Sequence, residues 1–393
     1  MAGYAMADTA VPALKLDSPP DPKSELKIDA QLREPRFWVA TEYVHTWQNA
    51  TTATPDLVDQ VTVTPNSSTV TPMYNQKRVA FGDGNAVRLT LGGWIDRDEK
   101  FGAELSGFYT PRQTETDSIT GTPNGPILTA PFGASALNGV TAGKSQIGGP
   151  IGSTGVQGYA SFTSTTESYG GEGNLLAHLL TYHHGPDFSV DASGLGGFRY
   201  FGVADQFQES IGRENVPPAL GNNFSGTDSY QTQSNFYGAD FGGRVRVGYE
   251  GLFAELTPKL GLGVTDESVD VSGTSSASSG GTPLPALNPG GFLAIGNKLG
   301  DRSTDKFAVL PQLTLKVGYD LTKQVEVFVG YDVLYLSQVA RASGQVSNQV
   351  GASTSPFAAF GGIPGGADNS PPPAISSTSF LQQGVSAGLS AKF

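Results

Sequence analysis

Ionisable side chains recur at every second position of many apolar segments in this chain, with acids and bases interleaved. Alternate residues of an extended strand point to one face, so these side chains would line a common surface. They are Glu42, Arg88, Glu104, Glu172, His178, Asp191, Arg199, Asp240, Arg244, Arg246, Glu255, Lys259, Lys316, Glu326, Asp332 and Lys392. Such a surface could neutralise itself through ion pairs, or it could line a narrow selective passage. Arg244 and Arg246, two residues apart on one face, are the best candidates for an anion-facing patch.

The histidines form no recognisable catalytic or metal-binding arrangement. His183 and His184 fall in a short connection, and His178 lies on the charged face. His45 lies on an apolar face, and no carboxylate forms a recognisable proton-transfer pair with it. Neither a pair of histidines with metal-ligand spacing nor a calcium-loop spacing of acids occurs, and cysteine is absent. We therefore expect no enzymatic activity, no cofactor and no bound metal.

The alternation itself predicts about ten β-strands, because a period of two is the repeat of a strand. In the C-terminal segment, Val385, Leu389 and Phe393 share one face, whereas Ser386 and Ser390 share the other. The ten segments begin near Phe37, Val87, Phe101, Tyr159, Phe188, Tyr230, Leu252, Lys306, Val325 and Phe380. The fold class expected from them is all-β.

Short and long connections alternate strictly between these segments. The short ones read DRDEK, HHGPD, EG and DLTKQ. The long ones are residues 49–85, 111–157, 209–229, 272–300 and 343–378. In an up-and-down antiparallel barrel, this alternation puts every short turn at one end and every long loop at the other. That is the layout of outer-membrane barrels, with short periplasmic turns and long extracellular loops.

A membrane-spanning barrel explains this pattern better than a soluble sandwich does. In a sandwich the strands would follow one another more closely in the sequence, and the long loops would not all fall at one end. Most segments reach the 9–11 residues or so that a tilted strand needs to cross a bilayer. No run of about 18 apolar residues occurs, which excludes a transmembrane helix. The net charge of −12 argues against nucleic acid as a partner.

The ends and the loops set the expected domain boundaries. Residues 1–34 are Pro-rich and read as an exported tail or linker, with a possible remnant of a signal-peptide cleavage region at residues 5–7. The barrel then occupies residues 35–393. The long loops are rich in Gly, Ser, Thr and Pro and cannot form an independent core, so they are either mobile or packed over the barrel mouth. Residues 58–82 could add a further hairpin to the barrel or extend above the membrane.

Three stretches resemble the seventh putative beta-barrel porin family, known mainly from planctomycete bacteria. PRFWVATEYVHTW resembles its opening strand, DKFAVLPQLTLKVGYDLTKQVEVFVGYDVLYLSQVAR its late hairpin, and FLQQGVSAGLSAKF its closing strand. The resemblance implies a bacterial outer-membrane location. By analogy with such barrels, Ser386, Gly388, Ala391 and Phe393 fill the C-terminal signal that the barrel-assembly machinery reads, although Ala391 is smaller than the usual apolar residue.

The sequence thus predicts a single antiparallel transmembrane β-barrel of about ten strands, in contact with outer-membrane lipids and with both termini periplasmic. The interior of a barrel of about eight strands is just filled by its own side chains, whereas wide aqueous channels appear at about 16 strands. Ten strands lie near the small end of this range. We therefore expect a porin-like or structural barrel with a narrow, charged and largely plugged lumen. The alternative is a surface-interaction protein that displays the long loops for adhesion or lattice contacts.

Overall fold

The structure is a computed structural model that describes residues 36–52, 57–74, 78–79, 81, 83–133, 143–151, 154–184, 188–216, 221–284, 290–347 and 372–393. The expected N-terminal tail and the cleavage remnant at residues 5–7 lie outside these residues. In the part described, no helix is long and apolar enough to cross a membrane. The helices described are two short 3-10 turns, Gly296–Lys298 and Ala342–Gln345.

Ten long strands, counted over the described residues, pair antiparallel in a closed circuit. They are β1 (Phe37–Gln48), β6 (Gly84–Trp94), β7 (Phe101–Gly121), β10 (Thr154–His184), β11 (Phe188–Val216), β12 (Asn222–Tyr249), β13 (Leu252–Ser279), β15 (Gly300–Asp320), β16 (Val325–Ala340) and β17 (Ser377–Lys392). Each pairs with its neighbour along the chain, β17 pairs with β1, and β7 pairs with β10. We call this circuit the ring. The expected all-β, antiparallel architecture is confirmed.

Shorter strands lie in the long connections. They are β2 (Thr51–Thr52), β3 (Val58–Thr64), β4 (Ser67–Tyr74), β5 (Arg78–Val79), β8 (Ile127–Gly133), β9 (Gly143–Ile151) and β14 (Thr282–Leu284). β3 and β4 form a hairpin, and β8 and β9 join it to β10. The hairpin considered from the sequence therefore exists, but it joins a side sheet and adds no strand to the ring.

The ring has a short-turn end and a long-loop end. The connections at the short-turn end are residues 95–100, 185–187, 250–251 and 321–324. Strands that begin there start at the residues expected from the sequence. Strands that begin at the long-loop end start earlier than expected, at Gly84, Thr154, Asn222, Gly300 and Ser377. Parts of the predicted loops are therefore strand, because ladder hydrogen bonding continues after the apolar outer face has ended.

The outer face of the ring is apolar over the half nearer the short-turn end, which we call the belt. One exposed member from each ring strand is Tyr43, Leu91, Leu105, Leu175, Phe198, Phe241, Leu256, Leu315, Val329 and Leu389. A continuous band of this kind is the surface that a transmembrane barrel presents to lipid. The other half of the ring, which we call the extension, carries buried apolar side chains on its inner face.

Most of the buried apolar residues that the structure describes fall into two clusters. The one nearer the belt, the apolar block, comprises Phe201, Val203, Phe236, Ala308, Leu310, Leu334, Leu336, Val339 and Phe380, with Phe108 packed against it. The one in the extension, the cap core, joins ring residues to the loops and comprises Leu57, Val58, Tyr74, Leu128, Ala130, Ile147, Ala160, Phe162, Phe207, Ile211, Phe224, Tyr230, Val269, Val271, Phe292, Leu293, Ala294, Ala340, Ala342 and Val346. The described loop segments therefore pack into the ring wall.

Candidate functional site: the interior of the ring

Inside the belt, the charged side chains form four groups of ion pairs, which we call the charge clusters. The groups are Glu42, Arg88, Lys316 and Asp332; Glu172, Arg199, Asp240 and Lys259; Glu104, Arg244 and Glu255; and Arg246, Asp320, Glu326 and Lys392. All sit on the inward face that the period of two assigns to them. The clusters join strands that are not neighbours, so they cross the bore.

The first cluster shows how one arginine bridges two strands. The Nη1 atom of Arg88 lies 3.2 Å from Oε2 of Glu42 and 3.1 Å from Oδ1 of Asp332. The Nζ atom of Lys316 donates to Oε1 of Glu42 at 2.7 Å, and its ammonium lies 4.4 Å from the ring centre of Phe328. Two acids thus meet two bases, so the buried charges neutralise one another.

The second cluster is equally balanced and more deeply buried. Arg199, which is only 3% exposed, pairs with Glu172 and also lies 3.0 Å from Asp240. Lys259 pairs with the other oxygen of Glu172. A buried guanidinium shared between two carboxylates loses its hydration but regains charge-assisted hydrogen bonds.

The expected anion-facing patch is occupied by the protein's own acids. Arg244 holds Glu104 with two hydrogen bonds, of 2.8 and 3.0 Å, one to each carboxylate oxygen. Arg246 lies 3.1 Å from Asp320 and 2.8 Å from Glu326. Both guanidinium groups therefore already bind carboxylates.

Two residues assigned to the charged face from the sequence stand apart from the clusters. His178 shares a hydrogen bond of 2.7 Å with Oγ1 of Thr181, which donates to Asp191 at 2.8 Å. Within the described residues neither His178 nor Asp191 has an ion pair. A β-bulge between His178 and Leu180 shifts the register there. His45 lies 3.4 Å from Asp83 on the exposed surface.

Asp320 was missed by the sequence analysis, although it lies two steps of two residues beyond Lys316 and so shares its face. Further buried acids were missed in the extension: Asp205, which pairs with Arg341, Glu267, and the cross-strand pair Glu209 and Asp228. Counting on in twos from Arg199 reaches the positions of Asp205 and Glu209. These acids lie where the apolar alternation on the outer face has stopped, so that alternation gives no signal for them.

Open space inside the ring lies in two adjoining cavities. A cavity of about 250 Å³ lies among the charge clusters, where Trp94 and Phe253 complete its lining. A second cavity of about 60 Å³ shares Arg88 with the first and ends against Phe201 and Leu334 of the apolar block. The ring centres of Phe201 and Phe380 lie 5.7 Å apart. Because β11 and β17 are five strands apart in a circuit of ten, this contact spans the bore.

The closing strand places its expected signal residues in different environments. Ser386 faces inward and is buried, whereas Phe393 is 63% exposed. The ring of Phe393 stacks on that of Phe37, with centroids 6.2 Å apart. A Cβ atom at Gly388 would lie 2.6 Å from the ring of Phe328.

Comparison with solved structures gives outer-membrane proteins of low similarity. The outer membrane protease OmpT from Escherichia coli is 8% identical, covering 92% of this chain and 97% of that chain, with a TM-score of 0.36. The translocator domain of autotransporter NalP from Neisseria meningitidis is 11% identical, covering 94% and 92%, with a TM-score of 0.28. Similarity at this level carries no argument about activity. No curated protein matches the chain.

The sequence profile of one family matches almost the whole ring-forming part of the chain. The family is putative beta barrel porin-7, and the match covers residues 38–393. This confirms the resemblance inferred from the opening strand, the late hairpin and the closing strand, and with it a β-barrel protein of the bacterial outer membrane. The chain belongs to the putative beta barrel porin-7 family.

Proposed function

We propose that this protein is a ten-stranded transmembrane barrel that is closed at rest and serves as a structural or narrowly porin-like element of the outer membrane. The observation that carries the proposal is the contact between Phe201 and Phe380, because it joins opposite walls of the ring. An apolar constriction of this kind resists entry of water and ions.

The charge clusters support closure on the other side of that constriction. A solute that enters the belt half meets arginines that each bind two carboxylates, and it would have to displace them. Of the fifteen cluster members, eight are acids and seven are bases, so the interior presents almost no net field to attract an ion. This balance favours a self-satisfied plug over a selective passage.

Planar-bilayer conductance tests the closed barrel directly. Protein extracted in mild detergent is first checked for a mobility change on boiling in SDS, which establishes a folded barrel. We expect no conductance steps from such a preparation, while a porin of known conductance in the same membrane gives steps. Reproducible steps from the folded protein would refute closure.

We propose that the short-turn end and both termini face the periplasm and the long-loop end faces outward. The support is the general layout of outer-membrane barrels. Because the chain has no cysteine, single cysteines report the orientation. A maleimide-polyethylene glycol too large to cross the membrane should label Gln231→Cys in intact cells. It should label Lys323→Cys, in a short turn, only after lysis, and the reverse pattern would invert the proposed orientation.

The exposed C-terminal aromatic is proposed as part of the signal for the barrel-assembly machinery. Phe393→Ala should lower the fraction of protein that reaches the membrane in a folded, heat-modifiable form. Phe37→Ala is the matched control, because it removes the other member of the same aromatic stack. Equal losses from the two substitutions would point to the stack and not to a terminal signal.

A second candidate function is display of the long-loop end for surface contacts. The specific observation is that the ring wall continues beyond the belt, where it carries the β3–β4 hairpin, with Val63, Val70 and Met73 exposed. Replacing residues 58–74 by a Gly/Ser linker should abolish attachment of cells to their partner surface if display is the role. Unchanged attachment by a variant that still shows the heat-dependent mobility shift would reject it.

A further inference from the structure

Glu209 is a fully buried acid with no hydrogen-bond partner among the residues that the structure describes. Its side chain is 0% exposed, and within the described residues neither carboxylate oxygen has a hydrogen-bond partner. It lies in the extension, nine residues along β11 from Tyr200, so it is roughly 20 Å beyond the belt. An isolated carboxylate in such surroundings is costly when ionised, so this position calls for a physical explanation.

Asp228 stands directly opposite Glu209 in the β11–β12 ladder and is also fully buried. Its carboxylate accepts the backbone N–H of Phe292 at 2.9 Å and that of Leu293 at 2.8 Å. Asp228 therefore fastens the turn that contains these residues to the ring wall. The approach is close enough that a Cβ atom at Gly291 would lie 1.7 Å from Oδ1 of Asp228, so only glycine fits there.

The fastened turn belongs to the cap core. Phe292, Leu293 and Ala294 are buried completely, and the ring of Phe292 packs edge-on against that of Phe224, 5.7 Å away. Releasing the turn would therefore remove three apolar side chains from the cap core and uncover the long-loop end of the interior.

The charged and titratable groups around the pair are few. Asp228 and Tyr230 lie on β12, Tyr74 lies on β4, and Lys298 and Arg302 lie on the segment that follows the turn. The Lys298 ammonium acts to lower the pKa of Asp228 and donates to the carbonyl of Ser347 at 3.1 Å. Arg302 donates to the carbonyl of Lys298 at 3.0 Å.

Burial and the neighbouring Asp228 raise the pKa of Glu209 well above its ordinary value. Burial also raises the pKa of Asp228, to about 6, against the opposing effect of the N–H groups that it accepts. The two N–H groups favour the charged form of Asp228, whereas Glu209 has no donor among the described residues to offset its burial, so the pair holds its proton on Glu209. Ionising both would set two buried like charges side by side.

We propose that Glu209 and Asp228 form a proton-dependent latch that holds residues 291–294 in the cap core and releases them as the pH on the long-loop side rises. The latch is independent of whether the ring conducts. Since opening exposes Glu209 to water, where it gives up its proton, the opening equilibrium rises with pH. Linkage sets the slope at about tenfold per pH unit until the pKa of the closed state is reached.

Hydrogen exchange of the Phe292 and Leu293 amides measures the latch in the full chain. Protection factors are used because they remove the intrinsic effect of pH on exchange. Above about pH 7 the wild-type factors should fall about tenfold per pH unit, and they should level off once the closed state itself loses the proton, which for buried glutamates has been found at about pH 8–9. In Glu209→Gln they should stay level, because the amide does not ionise.

Glu267→Gln is the matched control. Glu267 is equally buried but has partners in Lys306, 3.6 Å away, and the hydroxyl of Ser377, so this variant should keep the wild-type slope. Should Glu209→Gln not fold, Glu209→Leu serves the same purpose. Asp228→Asn should lower protection throughout the range above about pH 7, since it replaces an acceptor that is charged there.

Protection that does not change with pH in the wild type, or a slope that persists in Glu209→Gln, would overturn the latch. Undiminished protection in Asp228→Asn would show that Asp228 is not the fastener. None of these readouts depends on conductance, so failure of the latch and failure of the closed barrel are distinguished by separate measurements.

Discussion

Along β12 the apolar residues change face between two adjacent positions, Phe236 and Tyr237. Phe236 and the apolar residues before it, Phe224 and Tyr230, point inward, and Phe236 is 0% exposed. Tyr237 and Phe241 point outward and are about half exposed. β11 changes in the same way between Tyr200 and Phe201. The belt is thus apolar outside and charged inside, whereas the extension is apolar inside.

The difference follows from the medium outside each half. Where lipid surrounds the wall, apolar side chains gain by facing out and the interior must hold the polar groups. Where water surrounds the wall, the hydrophobic effect drives the apolar side chains in. The same ten strands therefore behave as a membrane barrel in the belt and as a water-soluble barrel in the extension, and the change of face marks the boundary.

The largest expected effect comes from breaking a charge cluster. Arg88→Met leaves Glu42 and Asp332 buried without their shared cation, which should cost about 3–5 kcal/mol in free energy of unfolding. Urea titration of the protein in lipid vesicles measures it. The triple variant that adds Glu42→Gln and Asp332→Asn should recover much of the loss, and a near-neutral single variant would show that the cluster is not holding the interior together.

The apolar block allows a similar test of how much its inward-facing side chains contribute to stability. Phe201→Ala should cost about 3–5 kcal/mol, because a cavity remains where the ring was. Phe198→Ala, on the outer face of the same strand, should cost less, because lipid chains refill the space. The same urea titration compares the free energies of unfolding of the two variants. Equal losses would mean that the inner and outer faces of β11 near residue 200 contribute equally to stability.

A charge placed on the outer wall locates the boundary. Leu256→Lys lies in the belt and should cost up to about 2–4 kcal/mol, the price of a lysine near the bilayer midplane. Gln231→Lys, exposed on the extension, should change stability by no more than about 0.5 kcal/mol. Folded fraction in vesicles reports both, and a costly Gln231→Lys would move the boundary outward.

A smaller effect is expected where neighbouring strands of the belt pack closely together. A Cβ atom at Gly388 would meet the ring of Phe328 at 2.6 Å and the carbonyl of Thr41 at 2.7 Å, so Gly388→Ala should cost about 1–3 kcal/mol. Gly196→Ala is the control, because nothing lies within 4 Å of its added Cβ. Thermal midpoints of the SDS mobility shift should separate the two variants.

The two ends of the ring should respond to pH in opposite directions. Hydrogen bonds from the backbone N–H groups of Phe101 and Lys100 lower the pKa of Asp96 in a short turn. A lowered pKa means that the turn is stabilised above the ordinary carboxylate range and loosens as pH falls through the lowered value. The raised pKa of Glu209 has the opposite sign. The protection factor of the Phe101 amide should therefore fall on acidification, and should lose this dependence in Asp96→Asn.

How far the sequence predicts the site depends on whether a property is local. The face of Glu42, Arg88 or Lys316 follows from counting in twos, because successive side chains of a strand alternate. The ion-pair partner of each residue cannot be found by such counting, because partners such as Lys316 and Glu42 are 274 residues apart in the chain. Which acid meets which base depends on closure of the ring and on the tilt of its strands, and neither is visible in a single segment.

The sequence by itself determined which segments are strands, where the short turns lie and where the strands after those turns begin. It also determined the family, through the opening strand, the late hairpin and the closing strand. All of these are local features, set by side-chain alternation and turn length. Only the tertiary structure decided how far the strands run past the belt, where Phe201 meets Phe380, and that Asp228 holds the turn at Phe292. These depend on contacts across the bore and between loop and wall, where the medium changes from lipid to water and the apolar face changes with it.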